Sequence, residues 1–333
     1  MTARPDNSNK EPFRRMVAPE LRSALDTFPS FEWTDEMLAQ MRTFDPRQMR
    51  VPALSASQTS VRREERIIPG ATGSPDVRVL IYRPAEDDQG PQPVYVHIHG
   101  GGYIMGAPEM NDAFSRSFAY EQRCVVVSID YRLAPETRYP GSLEDCYAAL
   151  LWTHRQAREL SIDTGRIAIG GESAGGGHAA ALTILARDRG EVPVCFQILD
   201  SPMLDDRTGS IGEPHPFAGK FVWTPESNRF GWQALLGVEP GGEKVPIGAV
   251  PSRTQDLGGL PATCITIGAL DLFLEETLEY SRRLSRAGVP LELHVIPGAY
   301  HGFQLAGVDA PQVQFWQRVR SEALGRAFRQ LEK

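Results

Sequence analysis

Cysteine is scarce in this chain of 333 residues: Cys124, Cys146, Cys195 and Cys264 are its only four, and no two form a C-x-x-C pair. Three of them lie in β-like apolar runs, so they read as buried, reduced thiols rather than a disulfide framework. Long hydrophobic runs are also missing. No segment approaches the roughly 20 apolar residues that span a bilayer, which argues against stable membrane association. The first twenty residues, MTARPDNSNKEPFRRMVAPE, hold no apolar block followed by a small-residue cleavage site, so the cytoplasm is the expected location. There is no Lys/Arg block either: 35 basic and 42 acidic residues are interspersed to a net charge of -7, which removes nucleic acid as a partner. No fixed-period repeat is visible, which excludes a solenoid or a propeller.

What remains is an ordinary globular composition, 41% apolar and 23% charged, in a chain long enough for a large core. Residues 1–55 carry short amphipathic pieces, APELRSALDTF and TDEMLAQMRTF, that read as small helices joined by proline-rich turns. From Arg66 onward the runs ERIIPG, VRVLIYRP, PVYVHIHGGG and CVVVSIDYR are rich in β-branched and aromatic residues and end at Gly, Pro or Asp, as strands do. A helix pattern over LEDCYAALLWTHRQAREL, the strand RIAIGG and a helix from Ala174 to about Arg189 follow. VCFQILDSP, ATCITIG and LELHVIPG supply further strands, with helices over LEETLEYSRRLSRAGV and VQFWQRVRSEALGRAFRQL. Strands alternating with long helices predict an α/β fold, a mostly parallel sheet covered on both faces. Residues 204–242 break the rhythm with aromatics and prolines and read as an insertion over the sheet. The expected organisation is therefore 1–55, a core over 56–203, the insertion at 204–242, and the rest of the core over 243–333.

Within the core, GGESAGGG (residues 170–177) places five glycines around Ser173, between a strand and a helix. The pattern G-x-S-x-G at such a corner projects one hydroxyl above the sheet from a strained turn, at the amino end of a helix whose dipole favours developing negative charge. Dinucleotide and phosphate loops are set aside, because neither glycine cluster completes its pattern; Met105 stands where HGGGYIM would need a further glycine.

A serine hydroxyl needs a base, and the base needs an orienting group. His301, in PGAYHGF just after the strand LELHVI, is the best base among seven histidines; His294 lies inside that strand and is expected to pack. Asp271, just beyond the strand ending at Gly268, is the best orienter, on the same sheet edge. Glu275 and Glu276 read as first-turn helix acids, while Asp200, Asp205 and Asp206 follow a different strand and are weaker candidates. An attacked carbonyl also needs preorganised donors for its oxyanion. The N–H groups of Gly101 and Gly102 in HIHGGGY, completed by Ala174 N–H, are suited to that role. His97 and His99 share a face, but no third metal ligand has convincing spacing, so His99 is read as holding the loop.

Taken together, HGGGY (99–103), DYRLAPE (130–136), GESAGG (171–176), SPMLDDR (201–207) and PGAYHGF (297–303) resemble, in consistent order over about residues 60–330, the hormone-sensitive-lipase-like bacterial carboxylesterases of the α/β-hydrolase superfamily. The resemblance implies a mostly parallel eight-stranded sheet and a helical cap built from 1–55 and 204–242. It also implies hydrolysis of short- to medium-chain esters through an acyl-enzyme. Ser173 would be nucleophile, His301 base then acid, Asp271 its orienter, and Gly101, Gly102 and Ala174 the oxyanion donors. No metal or organic cofactor is implied, and a homodimer is an option the family often takes. Two departures stand out: many members carry Asp or Thr at position 172, and DLFLEET here replaces a common DPLRDEG while keeping Asp271.

Phe28, Phe31, Trp33, Phe217, Phe221, Trp223, Phe230 and Trp232 lie in the two cap segments, and Tyr103 beside the oxyanion loop. Tyr103, Trp223 and Phe221 are taken as substrate-binding, which favours a hydrophobic small-molecule ester. The alternatives are an amidase or peptidase on the same triad, or a non-catalytic small-molecule receptor on this fold.

Overall fold

Eight strands form where the β-branched runs lie. In the computed structural model, which describes residues 11–27, 33–45, 54–85 and 90–330, they are β1 (Val61–Ile68), β2 (Val77–Pro84), β3 (Gln92–Ile98), β4 (Val125–Asp130), β5 (Ile162–Glu172), β6 (Phe196–Asp200), β7 (Ala262–Gly268) and β8 (Leu291–Ile296). They make one sheet in the order β1-β2-β4-β3-β5-β6-β7-β8. β2 is antiparallel to both β1 and β4, and all remaining pairs are parallel. Every residue of β3 is buried, as a central strand covered on both faces requires. β1, at one edge, is exposed along most of its length.

The helices are α1 (Glu11–Arg14), α2 (Ala24–Thr27), α3 (Asp35–Met41), α4 (Ala56–Thr59), α5 (Asp112–Gln122), α6 (Gly141–Arg155), α7 (Ala174–Arg189), α8 (Pro225–Leu236), α9 (Leu274–Arg286) and α10 (Pro311–Gln330). The period of two along β3 divides the core. Val94, Val96 and Ile98 pack with Leu143 and Cys146 of α6, Leu182 of α7 and Leu284 of α9. Tyr95 packs the other way, with Phe118 of α5 and Ala323, Leu324 and Phe328 of α10. Each Val, Leu, Ile or Phe side chain among these, fully buried, contributes about 1.5–3 kcal/mol. Among the described residues, no helix is long and apolar enough to cross a membrane.

The helix expected over APELRSALDTF is instead a 3-10 turn at Pro19–Leu21 followed by the single turn of α2. Side chains replace the missing ladder there: Arg22 donates to the Val17 and Arg15 carbonyls, and Arg14 to that of Arg22. α6 starts at Gly141 and stops at Arg155, before the expected QAREL end, where the chain turns into β5. Between β6 and β7 the chain leaves the sheet from Ser201 to Pro261, with α8 as its main helix. Thr224 caps α8 by accepting from Ser227 N–H, Pro225 opens it, and Gly237 closes it in the left-handed region. The four cysteines are free; Cys124, Cys146 and Cys264 are buried, and Cys195 is half-buried.

Candidate active site

β5 ends at Glu172 and α7 begins at Ala174, so Ser173 alone makes the corner. Its φ of 57° and ψ of −120° lie in a region non-glycine residues rarely occupy, and such a conformation persists only when its surroundings hold it. Three backbone bonds do so: Ser173 N–H donates to the Asp200 carbonyl (2.8 Å), and the Ser173 carbonyl accepts from Gly177 (3.0 Å) and Met203 (3.0 Å). The need for glycine is plainest at Gly175, where a Cβ would stand 2.1 Å from the Ile98 carbonyl oxygen of β3. Glycine lets α7 lie that close to the sheet.

The sheet's carboxyl edge brings the predicted partners together. Ser173 Oγ is 2.9 Å from His301 Nε2. His301 Nδ1 donates to Asp271 Oδ2 (2.9 Å), and Asp271 Oδ1 accepts from Phe273 N–H (3.0 Å). Asp271 is fully buried and His301 nearly so, so the hydrogen-bonded chain runs largely outside water. Phe273 meets the His301 ring edge-on at 5.0 Å, and Trp223 lies 6.4 Å from it.

Gly101 and Gly102 turn sharply, with φ of 125° and 60°, and the Gly101 carbonyl accepts from Ile104 and Met105 N–H. No backbone carbonyl among the described residues accepts the N–H of Gly101, Gly102 or Ala174, and Ala174 N–H belongs to the first turn of α7, where helices leave donors unpaired. DYRLAPE supports this loop from behind: the Tyr131 hydroxyl donates to the His99 carbonyl (2.9 Å), and Ala134 N–H to that of Tyr103 (3.0 Å). His99 acts as expected, its Nδ1 donating to the Gly100 carbonyl while its ring stacks on Tyr131 at 4.3 Å. Burial pushes His99 down to about 4 and His178, beside Tyr131, down to about 3, so both rings are neutral at pH 7. His97 contacts Ser128 and Glu172 instead.

Of the residues expected to bind substrate, Tyr103 and Trp223 share an apolar cluster with Ala174, Trp232 and Leu272, against which Trp33 and Phe230 pack. Tyr103 spends its hydroxyl on the Met203 carbonyl. Phe221 is not brought to them; it packs with Val17, Leu21, Leu25 and Tyr300. Phe217 is exposed. Phe28 and Phe31 lie outside the described residues. The weaker carboxylate candidates are occupied elsewhere: Asp205 pairs with Arg207, Asp206 with Arg253, and Asp200 with Arg320. Glu276, in the first turn of α9 as expected, is also buried and accepts from Leu204 and Asp205 N–H. Burial holds its carboxyl well above the usual range. His294 packs against Phe315 and bonds to Glu292; with Cys264 these two bring possible ligand atoms within 4.8 Å of one another, although Glu292 is already paired with Arg326.

A family model described as alpha/beta hydrolase fold matches residues 95–305, which carry the glycine loop at 100–102, the serine corner, Asp271 and His301. The chain belongs to this α/β-hydrolase family. It is 32% identical over 305 residues to Esterase LipI of Mycobacterium tuberculosis, an alignment that covers 90% of both chains. It is 34% identical to Carboxylesterase NlhH of the same organism, covering 95% of this chain and 96% of that one. Among solved structures, a bacterial heroin esterase superposes with a TM-score of 0.86 at 38% identity, covering 94% of this chain and 98% of the other. The α/β-hydrolase is thus a carboxylesterase of the hormone-sensitive-lipase-like group.

Two arginines at the hydrolase's site escape sequence reasoning. Arg42, just after α3, donates to the Ile104 carbonyl (2.8 Å) and the Ala134 carbonyl and pairs with Glu136, tying the amino-terminal segment to the chain just past the glycine loop. Arg320, on α10, is fully buried behind the serine corner. Arg42 follows a short helix among polar residues and reads as a solvated charge, and the one local signal for Arg320, among the four arginines of α10, is its place between Trp316 and Leu324 at four-residue spacing.

Proposed function

We propose that this carboxylesterase hydrolyses hydrophobic esters of short to medium acyl chain through an acyl-enzyme on Ser173. The observation that carries the reading is the unbroken hydrogen-bonded chain from Ser173 Oγ through His301 to Asp271, at 2.9 Å for both links. His301 Nε2 takes the hydroxyl proton as Oγ attacks the ester carbonyl, and the resulting oxyanion is met by the N–H groups of Gly101, Gly102 and Ala174. The imidazolium, steadied by Asp271, passes its proton to the departing alkoxide. Water then enters, loses a proton to His301 and releases the acid by the same route. Each oxyanion donor is worth about 3–4 kcal/mol of transition-state stabilisation.

The hydrophobic preference is supported by the Trp33, Trp223 and Phe230 cluster beside Ala174, close to the reacting hydroxyl. In this reading residues 1–55 and 204–242 form the cap, and reduced thiols suit a cytoplasmic enzyme. Ser173→Ala should abolish hydrolysis of p-nitrophenyl acetate and butyrate while leaving the circular dichroism spectrum and melting temperature near those of the parent. Residual turnover on the same order as the parent would remove Ser173 from the mechanism.

A further inference from the structure

Behind the serine corner lies a charge cluster that the proposed hydrolysis does not use. Arg320 is fully buried, its guanidinium carbon 4.1 Å from the ring centroids of both Phe114 and Trp316. Its Nη2 donates to Glu172 Oε1 (3.1 Å), and its Nε lies 2.5 Å from Asp200 Oδ2 in an ion pair without hydrogen-bond alignment. Glu172 is the residue immediately before Ser173, and Asp200, its register partner on β6, supplies the carbonyl that holds Ser173 N–H. The other oxygens are also engaged. Glu172 Oε2 accepts from His97 Nε2 (2.9 Å) and Asn111 Nδ2 (3.4 Å); Asp200 Oδ1 accepts from Thr266 Oγ1 (2.6 Å) and Trp316 Nε1 (3.1 Å).

We propose that Arg320 is a positioning residue for Ser173, acting through Glu172 and Asp200 to fix the two strand ends from which the strained corner hangs. The inference rests on Ser173 being the nucleophile. Ser173 holds its unusual backbone conformation at the junction of β5 and α7, and one of its three backbone bonds ends on Asp200. If β5 and β6 shifted relative to each other, Oγ would move with respect to His301 and the oxyanion donors. A guanidinium is the side chain suited to the task, because one N–H bonds Glu172 while its charge holds Asp200, and its plane stacks on flat rings. The charges agree with such a clamp. Burial works against ionisation of Glu172, yet His97 and Arg320 outweigh it and keep the carboxyl below its usual range. Burial lifts Asp200 to about 6, opposed by Arg320 and reinforced by Glu172, so Arg320 is the charge that lets the two buried carboxylates stand side by side.

The test uses the full chain with Glu172→Gln, Arg320→Met and Arg320→Lys. Active sites are counted by reaction with paraoxon, and kcat, KM and the rate of Ser173 phosphorylation are read per titrated site on p-nitrophenyl butyrate. Glu172→Gln and Arg320→Met should lower kcat and the phosphorylation rate together by about tenfold or more, because sub-ångström displacement of a nucleophile is costly. KM should stay within about twofold, and Arg320→Lys should recover part of the loss by keeping the charge without the flat guanidinium. If Arg320→Met fails to fold, the isosteric Glu172→Gln decides. A kcat per titrated site within about threefold of the parent in Glu172→Gln, however far its melting temperature falls, would overturn the inference, as would KM rising in step with the loss of kcat. Failure of paraoxon to label Ser173 in the parent enzyme is a different signal, and it would overturn the nucleophile assignment itself.

Discussion

Asp271→Asn is the most informative single change, because the structure dictates how the amide must sit. Asp271 Oδ1 accepts from Phe273 N–H at 3.0 Å, and Oδ2 faces His301 Nδ1 at 2.9 Å, in a fully buried site. An asparagine keeps its oxygen on Phe273 N–H and turns its NH2 toward the ring. Nδ1 must then accept, the proton moves to Nε2, and the imidazole can no longer take a proton from Ser173 Oγ. Flipping the amide restores the tautomer but leaves Phe273 N–H facing another donor, at a cost of about 1–3 kcal/mol. Losing the carboxylate charge beside the imidazolium costs about 4 kcal/mol more at an effective dielectric of about 20. The sum, roughly 5–7 kcal/mol, agrees with the about 10⁴-fold loss of kcat that this substitution causes in triads of the same design. The assay is kcat on p-nitrophenyl acetate at pH 8, with thermal melts to check folding. Asp271→Ala imposes no tautomer, so it should turn over about tenfold faster than the Asn variant while being less stable, since Phe273 N–H loses its acceptor. An Asn variant within about tenfold of the parent, or Asn and Ala variants of equal kcat, would refute the tautomer argument.

Gly102→Ala tests the proposed oxyanion donors: at φ of 60° the new Cβ would stand 2.2 Å from Trp223 Cη2. The expected loss is about 10²- to 10³-fold in kcat/KM, equivalent to one misplaced donor. Removing the ring in Gly102→Ala/Trp223→Leu should recover about tenfold or more, although the left-handed conformation still costs alanine roughly 1–2 kcal/mol; no recovery would show that Trp223 does not set the loop. The buried rings of His99 and His178 predict an acid-labile fold. Their folded values, about 4 and about 3, lie below the ordinary 6.5, so the unfolded chain binds protons first. The stability is complete above pH 6.5 and is lost as pH falls toward those values, by about 2–3 kcal/mol per ring at pH 4.5. Urea melts at pH 7.0 and 4.5 measure it, and a His178→Gln variant with as steep an acid loss as the parent would count against the assignment.

The sheet and the Ser173, Asp271 and His301 geometry were legible in the sequence because each leaves a local trace. A run of buried β-branched residues, a glycine cluster at a corner and polar residues just past strand ends all follow from what one short segment must do. Elements that depend on distant partners left no trace. APELRSALDTF has the amphipathic spacing of a helix, yet Arg14 takes the Arg22 carbonyl, Arg22 reaches back to the carbonyls of Arg15 and Val17, and the segment breaks into two turns. Phe221 lies two residues from Trp223 but packs in another cluster, because the chain bends at Val222, whose φ is 61°. Glu172 was visible only as a departure from its relatives. Its partner lies 148 residues away on α10, beyond the reach of any local pattern.

The position of Arg320 on α10 argues that the cluster serves the corner rather than the core. Trp316, Arg320, Leu324 and Phe328 recur at four-residue spacing on the inward stripe of that helix, and Leu324 and Phe328 make purely apolar contact. Only where the stripe passes behind Glu172 and Asp200 does it become polar, and there both Trp316 and Arg320 reach the same carboxylate, one on each oxygen of Asp200. Burying a guanidinium with two carboxylates is a poor way to add stability, since well-packed apolar residues of similar volume do as well or better. A corner that must hold Ser173 at φ 57° within 2.9 Å of His301 has a different requirement, namely low tolerance for sliding between β5 and β6. Directional bonds and paired charges supply that resistance where interchangeable methyl groups do not.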